Sequence, residues 1–526
     1  MTTYAYIPTG RDIWLQLANR LLTQGVVPSI WLGDDRHYDY ARRTYPRAEV
    51  ISLKAANTGL YTTSLPSVGP PDTFIRTKTF DDIQRRFFAL ANRQDVLGTY
   101  RHLEREALFF DLVLSFWRVI CHANPDFLLA AESPHSPSQY LLYELCNTSG
   151  IPTLWFQSCG MFPVLLAKSD VQSNPRRVPP LPDDEQLQVQ RSLIIEQLDA
   201  QLSRYTAERH YQDFEPAYMT TMKRRDAFWT ATSNRPFQAI VASLLRFARR
   251  GAQLAQVRTN LGQGSIAFSG LPRPPRLETT VLHGRLPQAI SRGVQSAYQK
   301  ASRPFSFDAP FVYYPLHFEP ERTTNPEGGD FTDQYTAVME LRRLVPDKVT
   351  IIVKEHYSQF SPTQNGYLGR SHRYYQAINQ LPRIQFVPVD TDQRLLLTES
   401  QFVCTIGGTA ALEAAALGNR ALVLGWPWFK GCPGTVNYSS NTSYETILEA
   451  ETADIGEIQS YIRELITDYG IPGFVNPSNV RQHIEFAEFL GSETEASWLY
   501  TVVATWIHEL DSSVLEQSQE QNFEGM

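Results

Sequence analysis

The stretch CTIGGTAALEAAALG, Cys404 to Gly418, decides the fold. Its first residues close a short apolar run, FVCTI (402–406), of the kind that forms a strand covered on both faces. Gly407, Gly408 and Thr409 turn the chain, and good helix formers follow from Ala410. A strand leading through a small-residue turn into a helix is the repeating unit of a parallel α/β sheet. Small side chains let a ligand approach the backbone, and a helix start offers free N–H groups to a phosphate. Glu413 lies one turn in, on the face that Thr409 begins, where it could accept hydrogen bonds from a ribose. A tight turn with no ligand gives the same pattern, so the neighbouring segments have to decide.

Working outward, FVYYPL (311–316), VTIIVKE (349–355), IQFVP (384–388) and ALVLG (421–425) read as further strands. Helical spacing lies between them at 330–344, 371–380, 391–399 and 409–418. Residues 305–480 are therefore expected to form one Rossmann-like domain. Ligands in such sheets sit at the carboxyl ends of strands. Thr405 stands at one such end, and Glu355 and His356 at another. A histidine there can donate to a phosphate or act as an acid. The loop PLHFEPERTTNPEGGDFTDQ (315–334) places His317, Glu319, Glu321, Arg322, Glu327, Gly328 and Gly329 after the first strand of the block. The planar fork of Arg322 matches a diphosphate or a carboxylate, and the glycines permit close backbone approach.

The N-terminal part alternates in the same way. YAYI (4–7), VPSIWLG (27–33), DFLLAAE (126–132) and IPTLWFQ (151–157) read as strands, and 11–25 and 137–148 as helices. Residues 1–165 are expected to be a second Rossmann-like domain. Glu132 and His135 follow the strand 126–132 and would face a cleft between the domains, with Glu132 a candidate general base. Alternatively this segment serves the next helix, because Ser136 ahead of Pro137 is a good N-cap.

Residues 166–304 break the alternation and read as a helical insertion, with a long helix at 182–214. No Asp or Glu occurs from Ala227 to Arg276. Within that stretch Phe237, Ile240, Val241, Leu244 and Leu245 make an apolar stripe flanked by Arg246, Arg249 and Arg250. The segment 235–258 either rests on the inner face of the cytoplasmic membrane or packs on the protein. Residues 481–526, with an apolar helix at 497–510, are expected to pack back toward the N-terminal domain.

Bulk properties bound the rest. The 526 residues exceed what one core supports, about 250–300. A net charge of -7 gives no general field for nucleic acid, so none is expected as a partner. The 5 cysteines form no C-x-x-C pair, which argues against disulfides and structural zinc and fits a reducing cytoplasm. No run approaches the roughly 18 apolar residues of a membrane span. The start, MTTYAYIPTGRDIW, lacks the basic and apolar regions of a secretory leader, and none is expected.

The strings YYPLHFEPERTT, EGG and DQ, then VKEH, then T-x-G-G-T-A-x-x-E-A-x-x-x-G, then G-x-x-W from Gly425 to Trp428 resemble the capsule polysaccharide biosynthesis family. Its relatives include bacterial Kdo and sialic acid transferases. The resemblance covers about 311–436 specifically and is suggestive over 1–165. It implies a GT-B architecture, two Rossmann-like domains facing a cleft. It also implies a glycosyltransferase that needs no metal and no cofactor beyond its nucleotide-sugar donor. The acceptor would be a surface polysaccharide or a lipid-linked glycan. In related sialyltransferases a His-Pro motif contacts the donor phosphate; His356 matches the histidine, and Tyr357 replaces the proline. An acidic-Gly motif carries the base in those relatives, and Glu327-Gly328 corresponds, making Glu327 a rival to Glu132. The donor site is then expected from His317, Arg322, Gly328, Glu355, His356, Thr405, Gly407, Gly408, Thr409 and Glu413, and the catalytic groups from Glu132, His135 and Glu327. Three alternatives stay open: nucleotide-sugar epimerisation, phosphotransfer from a CDP-polyol, and a non-catalytic subunit of polysaccharide export.

Overall fold

The computed structural model describes residues 2–94, 102–160, 162–180, 184–206, 286–319, 324–361, 366–475 and 489–524. The basic segment 235–258 and Arg322 lie outside the described residues.

Two sheets carry the chain. The first contains β1 (Thr2–Ile7), β2 (Val26–Gly33), β3 (Glu49–Ser52), β4 (Phe127–Ala130), β5 (Thr153–Ser158), β6 (Val164–Lys168) and β13 (Gly470–Pro472), in the order β13-β6-β5-β4-β1-β2-β3. The second contains β7 (Phe311–Pro315), β8 (Thr350–Lys354), β9 (Ile384–Phe386), β10 (Val403–Thr405), β11 (Ala421–Val423) and β12 (Thr435–Asn437), in the order β12-β11-β10-β7-β8-β9. Every pairing in the second sheet is parallel. In the first, only the pairings of β6 with β5 and β13 are antiparallel. The fold is α/β, with two Rossmann-like sheets.

The central strands explain why sequence pattern found them. All four residues of β4 and all six of β5 are buried, as expected of parallel strands with helices on both faces. The helix Asp12–Thr23 buries Ile13, Trp14, Leu17, Ala18 and Leu21 on one stripe. Ser136 caps Pro137–Thr148, its side chain accepting from the Gln139 N–H at 3.4 Å, so the capping role read from Ser-Pro is present.

Two boundaries differ from expectation. β6 crosses position 165, where the first domain was expected to end, and adds an antiparallel strand to its sheet. β13 belongs by sequence to the second block, yet it pairs with β6 in the first sheet. The chain thus returns to the N-terminal half before the last helix, Glu493–Glu524. That helix presses Trp498, Leu499, Val502, Val503, Trp506 and Ile507 against Tyr4, Tyr6, Trp14, Phe127 and Leu129. A buried ion pair pins its start, with Arg11 Nη2 2.7 Å from Glu495 Oε2. A second apolar cluster joins the halves: Phe162, Val164 and Leu166 pack with Ile194, Leu198 and Leu202 of the helix Glu185–Thr206 and with the helix Ala410–Ala416.

Candidate functional site

The carboxyl ends of the two sheets meet. Gln157, near the end of β5, donates from Nε2 to Glu327 Oε2 at 3.1 Å and to the Trp426 carbonyl at 3.0 Å, just beyond β11. The Trp426 N–H in turn donates to the Glu327 carbonyl at 3.1 Å. Glu327 is 6% exposed and is held from both halves. Close packing fixes its loop. A Cβ on Gly328 would lie 2.3 Å from the Thr324 carbonyl and 3.1 Å from Ile406 Cγ2, so only glycine fits. A second contact between halves lies beside this one, where Asn325 Nδ2 donates to the Arg86 carbonyl at 3.2 Å and Arg86 stands 3.7 Å from Asp330.

The second cluster lies wholly in the C-terminal sheet. His317 Nε2 is 2.9 Å from Thr405 Oγ1, which accepts from the Gly408 N–H at 3.0 Å. The Gly407 N–H also points at His317 Nε2, at 3.5 Å. With Nε2 accepting from both, the neutral ring carries its proton on Nδ1, an assignment made from the hydrogen-bond pattern. Burial first, then His356 and Arg370, pulls the His317 imidazole down to about 3, so it is neutral at physiological pH. A Cβ on Gly408 would stand 3.0 Å from Thr405 Oγ1 and 3.1 Å from His317 Cε1, so this turn closes on the histidine.

His356 caps the short helix Tyr357–Phe360 by accepting the Ser358 N–H on Nδ1 at 3.2 Å. Its proton therefore sits on Nε2. Burial, with Lys354 and Arg370 nearby, lowers its pKa to about 4. It is thus a neutral hydrogen-bond donor rather than a cation. Thr409 Oγ1 donates to Glu413 Oε1 at 3.2 Å, and Gln393 Nε2 donates to Glu413 Oε2 at 3.3 Å. Burial raises the Glu413 pKa against the pull of those donors and of Lys354. The helix behind this turn, Ala410–Ala416, is only seven residues long, so its dipole adds little and side chains dominate the local electrostatics.

One candidate requires correction. Glu355 is not turned to a ligand. Its Oε2 accepts from Arg370 Nε and from the Tyr375 hydroxyl, both at 2.8 Å, and its Oε1 accepts from the His356 N–H at 2.9 Å. Both side chains of the ion pair are almost fully enclosed, at 1% for Arg370 and 0% for Glu355. A carboxylate taken out of water must be paired and hydrogen-bonded, and this one is. Its work is to brace His356 and, through Arg370 Nη2 bonded to the His317 carbonyl at 2.8 Å, His317.

Glu132 and His135 form a third group, with His135 Nδ1 3.7 Å from Glu132 Oε1 and 2.9 Å from the Ser133 carbonyl. Glu132 lies two residues past Ala130, as Gln157 lies two past its register partner Trp155. Both therefore belong to the same rim of the first sheet.

Sequence reasoning missed Gln157, Lys168, Trp426 and Lys430. Lys168 Nζ lies 5.6 Å from the Trp155 ring centroid and 5.9 Å from that of Trp426, while Lys430 Nζ lies 3.0 Å from the Trp426 centroid. The signal for Lys168 was a lone lysine ending an apolar strand, VLLAK. Among the described residues no group of three or more His, Cys, Asp or Glu is arranged to hold a metal. No helix among them is long and apolar enough to cross a membrane.

No protein-family model matches this chain, and no curated protein matches it. Solved structures do. The KpsC beta Kdo 2,7 transferase of Thermosulfurimonas dismutans shares 12% identity over 34% of this chain and 52% of that one, at a TM-score of 0.23. The KpsC beta Kdo 2,4 transferase of the same organism shares 13% over 64% and 79%, at 0.24. The UDP-GlcNAc 2-epimerase of Neisseria meningitidis shares 10% over 98% and 100%, at 0.18. The chain is similar to transferases and epimerases alike. It spans about half the length of the first, 52%. At such TM-scores these likenesses do not separate one activity from another, and the chemistry has to come from the residues.

Proposed function

We propose that the chain is a glycosyltransferase that moves a sugar from a nucleotide-sugar donor to a glycan or lipid-linked acceptor of the cell surface. The observation that carries this reading is Glu327, held between the facing ends of two largely parallel sheets by Gln157 on one side and Trp426 on the other. Ligands of such sheets bind at those ends, so a donor on one and an acceptor on the other meet at this carboxylate.

In this reading Thr409, Glu413 and His356 receive the nucleotide. The Nε2–H of His356 donates to a phosphate oxygen, and Glu413 accepts from ribose hydroxyls. His317 and Thr405 set the shape of the turn that faces it. Glu327 takes the proton of the acceptor hydroxyl as it attacks the anomeric carbon, and the nucleotide leaves with the electron pair of the broken bond. Glu132 and His135 line the acceptor side of the same rim. The reaction as written needs no metal or further cofactor.

The test is a panel of CMP-, UDP-, GDP- and CDP-linked donors, scored for thermal stabilisation and for nucleotide release. One nucleotide class should stabilise the protein and be released slowly to water. A donor that is interconverted to its epimer without nucleotide release makes the chain an epimerase, and no response to any donor removes the reading.

A further inference from the structure

Lys168 and Lys430 are unusual among the charged groups of this chain. Lys168 is 2% exposed, and its nitrogen makes one hydrogen bond, to the Val171 carbonyl at 3.1 Å. Lys430 is half-buried, with one long contact to the Gly425 carbonyl at 3.5 Å. Among the described residues neither has a carboxylate oxygen within ion-pair distance. Glu327 and Asp170 act on Lys168 only from further away, and both are engaged elsewhere: Glu327 by Gln157, and Asp170 by the Tyr143 hydroxyl and the Gln172 N–H. Among the described residues the charged group that acts on Lys430 is Lys168, another cation. Burial, the larger effect on both, brings each down to about 8.

An ammonium group taken out of water with no anion at ion-pair distance is costly. The Trp426 face offsets part of that cost, since both nitrogens lie within cation–π reach of its ring. Gly329 leaves room for the ring, since a Cβ there would stand 3.3 Å from its Cδ1. The elements involved are β6 of the first sheet and the segment after β11 of the second, so the two cations come from opposite halves of the molecule. Gln157 bonds the same segment, its Nε2 donating to the Trp426 carbonyl at 3.0 Å.

We propose that Lys168 and Lys430 together bind a phosphate group at the junction of the two sheets, over the Trp426 ring. Phosphate fits better than carboxylate. Lysine acts as a compact point charge with three donors and is a common phosphate ligand, whereas a carboxylate is better matched by the planar fork of arginine. The phosphate has two possible sources, the diphosphate of a nucleotide donor or a phosphate carried by an acceptor. The site stands on its own geometry and does not depend on the transfer reaction.

The experiment is calorimetric titration of the full chain with inorganic phosphate at pH 7, for wild type, Lys430→Gln, Lys168→Gln and, as a control at an exposed lysine, Lys300→Gln, each checked for folding by circular dichroism. Saturable binding is expected for wild type, weakened at least tenfold in Lys430→Gln and unchanged in Lys300→Gln. Lys430 is partly exposed, so its variant carries the test even if Lys168→Gln does not fold. Repeating the titration with the nucleoside diphosphate of the active donor class assigns the source. Displacement of phosphate points to the donor, and simultaneous binding points to the acceptor. No saturable binding in wild type, or equal affinity in Lys430→Gln, overturns the site and leaves the transferase reading standing.

Discussion

Gln157 Nε2 stands 3.1 Å from Glu327 Oε2 and 3.0 Å from the Trp426 carbonyl, so one amide of the N-terminal sheet spends both its N–H groups on the C-terminal half. This fixes the orientation of the carboxylate and the separation of the sheets with the same atom.

Replacing Gln157 by Ala should therefore act on rate. With its orienting donor gone, Glu327 no longer sits where an acceptor hydroxyl can be deprotonated, and small misplacements of a reacting group cost about tenfold to a hundredfold. Steady-state kinetics should give a lower kcat with an almost unchanged KM for the donor, whose ligands lie elsewhere. A change confined to KM contradicts this placement.

Glu355 should behave as a structural residue. Its removal leaves Arg370 buried without its partner, in an ion pair whose side chains are 1% and 0% exposed. Breaking such a pair costs about 3–5 kcal/mol. Urea unfolding of Glu355→Ala should move to a clearly lower midpoint, and a midpoint equal to wild type would return Glu355 to the list of ligand-binding groups.

Acid should weaken the fold partly through His317. Its folded pKa is lowered from 6.5 to about 3, so the unfolded chain binds the proton more readily. This contribution is fully present above about pH 6.5. It is lost as pH falls from there toward 3, at up to about 1.4 kcal/mol per pH unit. Comparing unfolding free energies of wild type and His317→Asn between pH 7 and 4.5 reads it directly. The variant should have the shallower slope, whatever its stability at pH 7.

Glu413→Ala should weaken donor binding by about 1–3 kcal/mol, the range for hydrogen bonds to a charged group. The folded state should tolerate the change, because the partners it leaves, Thr409 and Gln393, are only partly buried. Calorimetry with the active donor class checks this, and unchanged affinity takes Glu413 out of the site.

The sequence was most informative where strands are covered on both faces. β1, β2, β4, β5, β7, β8 and β10 stand out as apolar runs because most of their residues are covered on both faces. β3 and β12 did not, since they are short strands at sheet edges with few or no buried residues. β13 is three residues long and pairs with β6 across most of the chain, a contact no local pattern reports. At the site, His317, Thr405, His356 and Glu327 were legible as polar residues just past strands or in a long loop. The part played by Glu355 was not, because its partner Arg370 arrives from a later loop and only the fold puts them together. For the same reason Lys168, Trp426 and Lys430 could not be read as one cluster.

The central claim is that Glu327, at the junction of the sheets, is the base of a sugar transfer. Single-turnover nucleotide release, with the donor identified by the panel and its acceptor present, tests it most directly in wild type, Glu327→Gln and Glu132→Gln. Glu327→Gln should bind the donor as wild type does and release nucleotide about 10²–10⁴-fold more slowly, while Glu132→Gln keeps most of the rate. Wild-type release by Glu327→Gln, or its loss in Glu132→Gln alone, would instead place the base at the rim of the first sheet.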